Sequence, residues 1–569
     1  MDEKLKQAFI TGVERVAAWS DLLDEINVYP VADGDTGRNL SMSLTPLRLA
    51  GGNKDEIVRK LLLAARGNSG NIASQFFAGF YATNGLSDMK TLVREGNARA
   101  WKALGKPRLG TMLSLFDALE EIIVERGFTS DVESTQRILA HLEEAVRETR
   151  DILPKLQQAG VVDAGALGMY VFFEGFFHTL SGMELKYRPL TEVFAGLLKI
   201  SSSFRETGEN GYCIDTVVRI DTSPDELEQI AGDQDSAIII REGDLYKVHL
   251  HTNDKDKVKA RMSKLGSVLN WESDNLSSQI RDFMNAPADA GLHIMTDAAG
   301  SLTRDDAKKY GFTLLNSYLN VGEKSLPETY FHPQELYKAM QAGIKVSTSQ
   351  ASIFERHQFY ESVLARYEKV LYLCVGSVYT GNYDVVMDWK KQHDHENRLQ
   401  VIDTGAASGR LGTIVLAVQQ FFNHTQDVGK TIAFAQKAVQ TCEEYVFLEK
   451  LQYLAAGGRL SKTSAFFGDM LRMKPVISPH PEGVKKMGVA RNRKDQLKMA
   501  RERLAASLDG DSRALIMLEY SDNRGLVSEF GDELARLYPK AVIILQPLSL
   551  TSGAHMGPGT WGMAFLKTA

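Results

Sequence analysis

The chain has 569 residues, with 66 Lys and Arg against 72 Asp and Glu, for a net charge of −6. That is several times a usual domain of roughly 150 residues, so more than one core is expected; with no basic excess, nucleic acid is excluded as a default partner. Three cysteines (Cys213, Cys374, Cys442) are too few for a disulfide framework, and MDEKLKQAFI lacks the apolar core of a signal peptide; a soluble, cytoplasmic protein in a reducing compartment is expected.

Residues 5 to about 181 read as helices, with Leu5, Phe9, Val13, Val16, Leu23 and Ile26 at near-helical spacing. The predicted segments are roughly 5–26, 36–50, 54–66, 69–83, 87–104, 110–126, 132–152 and 163–181, broken at VADGDTG, RGNSGN, GKPRLG and VVDAGALG. From about 206 the texture changes to strands, CIDTVVRI, SAIIIRE and LYKVHLHTN, with a helix near 255–265: a small α+β unit ending near 288. From 291 onward short apolar runs (LHIMTD, KVLYLCVGS, LQVIDTG, RALIMLEYS, KAVIILQPLS) alternate with helices. That alternation predicts a mostly parallel sheet covered by helices, with ligands beyond the strands' carboxyl ends. The expected domains are 1–205, 206–288 and 289–569.

Asn27-Val-Tyr-Pro-Val-Ala-Asp33-Gly-Asp35-Thr36-Gly37-Arg38-Asn39 is the most informative stretch. Asp33 and Asp35 flank a glycine, so both carboxylates can turn toward one point and suit Mg²⁺, which leaves its other positions to water and phosphate. Asn27 offers a neutral oxygen, and Thr36-Gly37 opens a helix whose N–H groups favour an anion. A capped turn with solvated acids is the alternative. Three more helix starts carry the same features: Arg66-Gly67-Asn68-Ser69-Gly70-Asn71, Gly110-Thr111-Met112, and Asp163-Ala164-Gly165-Ala166. In an up-and-down bundle alternate loops lie at one end, so these turns are expected to gather into a nucleotide–Mg²⁺ site.

NVYPVADGDTGRNLSMSL, RGNSGNIASQFFAGF, GTMLSLFDAL and VVDAGALGMYVFFEGF resemble, in order, the motifs of DhaL-type domains. These include the ADP-binding subunit of dihydroxyacetone kinases and, more closely, the kinase component of bacterial fatty acid kinase. The resemblance covers residues 1 to about 200 and implies an eight-helix barrel holding ATP and two Mg²⁺ ions at one end. Asp33 and Asp35 are then the metal-binding and catalytic carboxylates, with Asn27 near a third metal position where dihydroxyacetone kinases have an aspartate. Thr36, Gly37, Asn39, Ser69, Gly70, Thr111, Met112, Asp163 and Gly165 would line the nucleotide. Arg38, where the fatty acid kinases have a small residue, is either an exposed loop arginine or a phosphate contact.

Gly211-Tyr212-Cys213 lies on one predicted strand and His249-Leu250-His251 on another. Residues i and i+2 of a strand share a face, so both imidazoles can approach one metal, and a thiolate with two imidazoles is a Zn²⁺ set with an open position. A free cysteine with two surface histidines is the alternative. GYCIDTVV and YKVHLHTND resemble the middle domain of the fatty acid kinase component, which implies zinc on Cys213, His249 and His251, in a structural or docking role.

In the last part, Thr296-Asp297, Ser347-Thr348-Ser349-Gln350, Ser377 with Thr380-Gly381, and His555-Met556-Gly557-Pro558-Gly559 fall at predicted strand ends. Hydroxyls, an imidazole and glycine N–H groups can together hold a carboxylate. A serine–histidine hydrolase is disfavoured, because no G-x-S-x-G elbow is present. With VIDTGAASGRLG, LEKLQYLAAGGRLS and MKPVIS, these clusters resemble the DegV family of fatty-acid-binding proteins over 291–569, implying a two-lobed α/β domain with a buried lipid tail. Thr348 or Ser349, Ser377 and His555 would hold the head group, with Gly557 nearby and Arg459 structural. The family's Ser-Ser pair reads Gly376-Ser377 here, and its small residue after G-P-G-A is Trp561, expected to reshape the tail tunnel.

Together the resemblances imply a fatty acid kinase: ATP and a fatty acid giving ADP and acyl phosphate. The alternatives are a kinase for another carboxylate or a dihydroxyacetone-like substrate, and a non-catalytic lipid-binding sensor. The expected partners are ATP, fatty acid, a membrane surface touched transiently for lipid loading, and a second copy of the chain.

Overall fold

The computed structural model describes residues 2–568 apart from 50, 52, 82–87, 185, 207–210, 221–224, 233–234, 286–290 and 457–472; Arg459 therefore lies outside the described residues. The chain forms two compact units, Met1–Ala286 and Pro287–Ala569. Among the described residues no helix is long and apolar enough to cross a membrane.

The first unit begins with α1 (Glu3–Ala18), α2 (Ser20–Glu25), α3 (Thr36–Leu44), α4 (Lys54–Ala64) and α5 (Gly67–Phe80). It continues with α6 (Met89–Lys102), α7 (Met112–Arg126), α8 (Val132–Ile152), α9 (Pro154–Ala159) and α10 (Ala164–Ser181). The predicted segments recur, with the first split at Trp19 and an added turn, α9, opened by Pro154 at a position where its missing N–H costs nothing. α10 is buried on nearly every side. Its Phe172, Phe173 and Phe176 meet Phe76, Phe77 and Phe80 of α5 and Phe116 of α7, Phe177 packs on Phe173 and Phe128, and Phe76 and Phe116 stack at 4.0 Å. Apolar pairs at i and i+4 on two central helices thus build one aromatic core. Gly12 and Gly175 let α1 and α10 approach, since a Cβ on either would strike the facing helix.

The same unit continues into an antiparallel four-stranded sheet, β1 (Tyr212–Ile220), β2 (Asp235–Glu242), β3 (Leu245–Thr252) and β4 (Gly266–Asn275), in the order β2-β3-β1-β4. Strand alternation sorts its faces. Ile214, Val218, Val248 and Leu250 pack with Val258 and Met262 of a covering helix. On the other face Val217, Ile238, Ile240 and Leu245 pack on Leu62 of α4. Residues Cys213, Asp215 and Val217 pair with His251, His249 and Lys247 on that second face, so the polar face of the sheet is turned to the helices.

In the second unit the expected parallel sheet exists as Leu399–Asp403, Val370–Cys374, His293–Asp297 and Phe312–Leu315, in that order and all parallel. The rest corrects the prediction. A six-stranded sheet is mainly antiparallel, because Trp561–Lys567 inserts between Glu443–Phe447 and Ala514–Tyr520 and runs against both. A three-stranded antiparallel sheet carries Val346–Ser349. Trp561 is also corrected: its indole is fully buried, stacks on Phe447 at 4.1 Å and donates to Gln496 Oε1 at 3.2 Å. It belongs to the core under the helices Arg493–Ser507 and Arg524–Leu537, on the face opposite Gly562.

Candidate functional site

Four helix starts of the first unit meet at one cavity of about 420 Å³. Asn27, Asp33, Asp35 and Thr36 line it from the turn before α3, Gly67, Asn68 and Ser69 from the start of α5, Thr111 and Met112 from α7, and Asp163 and Gly165 from α10. The middle sheet closes the same cavity with Cys213, Ala237, His249 and His251.

The acidic turn bends at Gly34, whose φ of 64° suits glycine, leaving Asp33 and Asp35 half-buried on the wall. Asp35 occupies the N-cap position of α3 yet makes no capping bond. Asp24 of α2 takes that role, accepting from Gly37 N–H at 2.6 Å and Arg38 N–H at 3.1 Å. The Asp35 carboxylate is thereby left to the cavity, which argues against a plain capped turn. The same bonds correct the expectation for Gly37: its N–H is taken, and a Cβ there would lie 2.0 Å from the Ser20 carbonyl oxygen. Asn39 and Gly70 also sit behind the wall, Asn39 against Gly67 and Gly70 against Ser43. Asn27 also has a part the sequence did not suggest: its amide donates to Asp33 Oδ1 at 2.5 Å and its oxygen accepts from Thr36 at 2.7 Å, so it orients a carboxylate on the cavity wall. Arg38 is half-buried and lies by Asp274 of β4, whose carboxyl burial raises, an effect the Arg38 charge only partly offsets.

At the start of α5, Gly67 (φ 58°) gives its N–H to Asp215, while Asn68 and Ser69 face the cavity in the first turn, where N–H groups have no intrahelical partner. Asp163 caps α10 by accepting from Ala166 N–H at 2.7 Å. Burial pushes its carboxyl up to about 6, against the pull of N–H groups from Ala166, Met112 and Gly165. Sequence reasoning missed Lys106 and Arg108, exposed residues that bring positive charge to the cavity; their signal was the pair of bases around Pro107 in a segment read only as a helix break.

Cys213, His249 and His251 are all buried, with ligand atoms within 4.8 Å of one another. Cys213 Sγ is 3.8 Å from His249 Nδ1, and His249 Nε2 is buried with no hydrogen-bond partner among the described residues. A soft donor, two imidazoles and a buried unpaired ring nitrogen fit a zinc-type ion. Burial raises the Cys213 thiol well above its usual range, and the carboxylates of Asp215, Asp35 and Asp33 add to it; a bound cation would reverse that bias. Asp215, also buried, is held well below the usual carboxylate range: burial opposes ionisation, but Lys247, His249 and Arg66 outweigh it.

In the second unit Thr348 Oγ1 and His555 Nε2 meet at 3.2 Å. Ser349 is exposed in register with Tyr318. Ser377 departs from its expected role, since its N–H and hydroxyl both go to Asp403, at 3.0 and 2.6 Å. Gly557 (φ 80°) lies under the Tyr453 ring, 2.1 Å from where a Cβ would stand. Asp297 is saturated by Arg356, Tyr372, Asn382 and the Val375 N–H, a structural anchor and no part of a hydrolytic triad.

Three family profiles match the chain in order: a DAK2 domain over 30–178, a FakA-like middle domain of the fatty acid kinase type over 209–283, and the DegV family, described as uncharacterised, over 291–568. The chain joins all three in one polypeptide. An uncharacterised protein of Staphylococcus saprophyticus is 30% identical over 326 residues, 52% of this chain and 59% of that one. Another from Staphylococcus aureus is 30% identical over 306 residues, 48% and 55% of the two chains. The chain thus spans little more than half the length of these relatives. Among solved structures, a fatty-acid-binding DegV family protein of Thermus thermophilus aligns with TM-score 0.45 and 24% identity, over 49% of this chain and 99% of that one. The fatty acid kinase B3 protein of Streptococcus pneumoniae, loaded with linoleic acid, aligns with TM-score 0.42 and 15% identity, over 48% and 98%.

Proposed function

We propose that the chain is a fatty acid kinase, transferring the γ-phosphate of ATP to the carboxylate of a fatty acid held by the DegV region. A carboxylate oxygen bonds to the γ-phosphorus, the bridge to the β-phosphate breaks, and ADP and acyl phosphate result. A carboxylic acid of pKa near ~4.5 is ionised at neutral pH, so no general base is required. Alignment and charge neutralisation are the protein's tasks. Asp33 and Asp35 would hold Mg²⁺, which when bound supplies neutralisation between triphosphate and carboxylate. Asn27 keeps Asp33 turned to the cavity, Ser69 and Asn68 offer donors to phosphate, and Thr111, Met112, Asp163 and Gly165 would border the nucleotide. Cys213, His249 and His251 would hold Zn²⁺ on the opposite wall. In the DegV region Thr348 and His555 would take the acyl carboxylate; burial of the chain at ~0.8 kcal/mol per CH₂ supplies micromolar binding or better.

The observation that carries this reading is the Asp35 carboxylate, left uncapped on the cavity wall because Asp24 serves the helix. The test combines full-length protein, MgATP and a long-chain fatty acid, and follows ADP. Release is expected to require the lipid and to fall by about two orders of magnitude in Asp35→Ala. Equal release without lipid would remove the assignment.

A further inference from the structure

Asp215 sits where the two walls of the cavity join. It is carried by β1 and is 6% exposed. Its Oδ2 accepts from Gly67 N–H, the first amide of α5, at 2.9 Å, and the same oxygen lies 3.2 Å from His249 Nδ1. Its Oδ1 lies 3.0 Å from Lys247 Nζ and 3.3 Å from Asn71 Nδ2. Asn71 in turn donates to Gly67 O at 2.7 Å, so one carboxylate and one amide hold the N–H and the C=O of Gly67. The loop has little freedom to answer any other way: Gly67 holds a positive φ and stands against Asn39.

From this we infer that Asp215 is a positioning residue linking occupancy of the Cys213/His249/His251 site to the placing of the Arg66–Ser69 loop for nucleotide. The inference rests on the proposed reading of that trio as a metal site. An imidazole that ligates through Nε2 must carry its remaining proton on Nδ1, where it becomes a donor to a carboxylate and fixes the ring. Here that carboxylate oxygen is the one holding the first N–H of the phosphate-facing helix. With the trio empty, His249 is free to place the proton on either nitrogen, and the shared oxygen loses a fixed partner. Ordering the ring therefore orders the loop, and by linkage nucleotide in the cavity tightens the metal in return. Neither Asp215 nor Lys247 touches the nucleotide space directly, since neither lines the cavity.

The test uses the full-length chain and Zn²⁺ as the probe, with metal content read by atomic spectroscopy and MgADP affinity by calorimetry. Wild-type protein is expected to take up about one Zn²⁺ per chain, and stripping it with a chelator should weaken MgADP by about fivefold or more. Asp215→Asn is expected to retain Zn²⁺ with affinity lowered about tenfold, while its MgADP affinity becomes the same loaded or stripped. His251→Ala should take up no Zn²⁺ and bind MgADP as the stripped wild type does. Zn²⁺ uptake with identical MgADP affinity in loaded and stripped wild type would overturn the link and leave the metal site standing. Full coupling retained in Asp215→Asn would remove Asp215 from it, and a wild-type chain that takes up no Zn²⁺ would overturn site and link together. The wild-type comparison decides the matter even if the Asp215 variant fails to fold.

Discussion

Replacing Asp24 by alanine should weaken metal-nucleotide binding although Asp24 is not on the cavity wall. A helix N-terminus ordinarily has its second and third N–H groups bound by the side chain of its own N-cap residue. In α3 those groups are Gly37 and Arg38, the N-cap residue is Asp35, and Asp24 has displaced it with bonds of 2.6 and 3.1 Å. Without Asp24 the two donors are orphaned, and the Asp35 carboxylate is the group placed by helix geometry to answer them. An N-cap is worth about 0.5–2 kcal/mol, typically ~1, and a metal recruiting Asp35 must then work against that amount. The expected loss in MgADP affinity is thus about twofold to thirtyfold, centred near fivefold. Calorimetric titration of MgADP measures it, with circular dichroism melts to show that the helices persist. Asp24→Asn, which keeps an acceptor oxygen, should recover most of the affinity. Unchanged affinity in Asp24→Ala would refute the argument, and so would a loss equal to that of Asp35→Ala, because a redirected carboxylate is weakened and not removed.

Asp163 gives a pH signature. Burial raises its folded carboxyl to about 6, above an unfolded value near ~3.9, so the folded form holds the proton more tightly. This group's contribution is greatest below about pH 4 and is lost as pH rises toward 6, a change of about 3 kcal/mol. Thermal melts of metal-free Asp163→Asn and wild type across that range should therefore diverge in the variant's favour as pH rises; a constant gap would contradict the assignment. Lys106→Ala and Arg108→Ala should each raise KM for ATP about twofold to fivefold at low salt, with the effect fading near about 0.5 M salt, since both are exposed and screened. Trp561→Ala should destabilise the second unit by about 3–5 kcal/mol, read by scanning calorimetry, while Trp561→Phe, which keeps an aromatic against Phe447, should cost markedly less.

What could be read in the chain, and what could not, divides by the range of the interactions involved. The convergence of the acidic turn with the starts of α5, α7 and α10 was readable because each break carries its own signal: Gly34, Gly67 and Gly110 all hold positive φ, and a helix pattern resumes at once after each. His249 and His251 were readable as one face of a strand for the same local reason. Asp24 was not, because nothing about an aspartate in the last turn of a helix says that Gly37 will pack against Ser20 and bring two foreign N–H groups within its reach. Nor was the closing of the cavity by the middle sheet, which depends on Val217, Ile238 and Leu245 finding Leu62 of α4, a contact between segments far apart in the chain. The antiparallel insertion of Trp561–Lys567 escaped the strand–helix alternation because alternation predicts neighbours only when consecutive strands pair, and this strand pairs with two that precede it in the chain. The same insertion decides Trp561: alternation along the strand predicts that it and Gly562 face opposite ways, but which face meets the helices depends on the sheet order. Function follows the same division, since the donor groups are local while their meeting at one cavity is a property of packing.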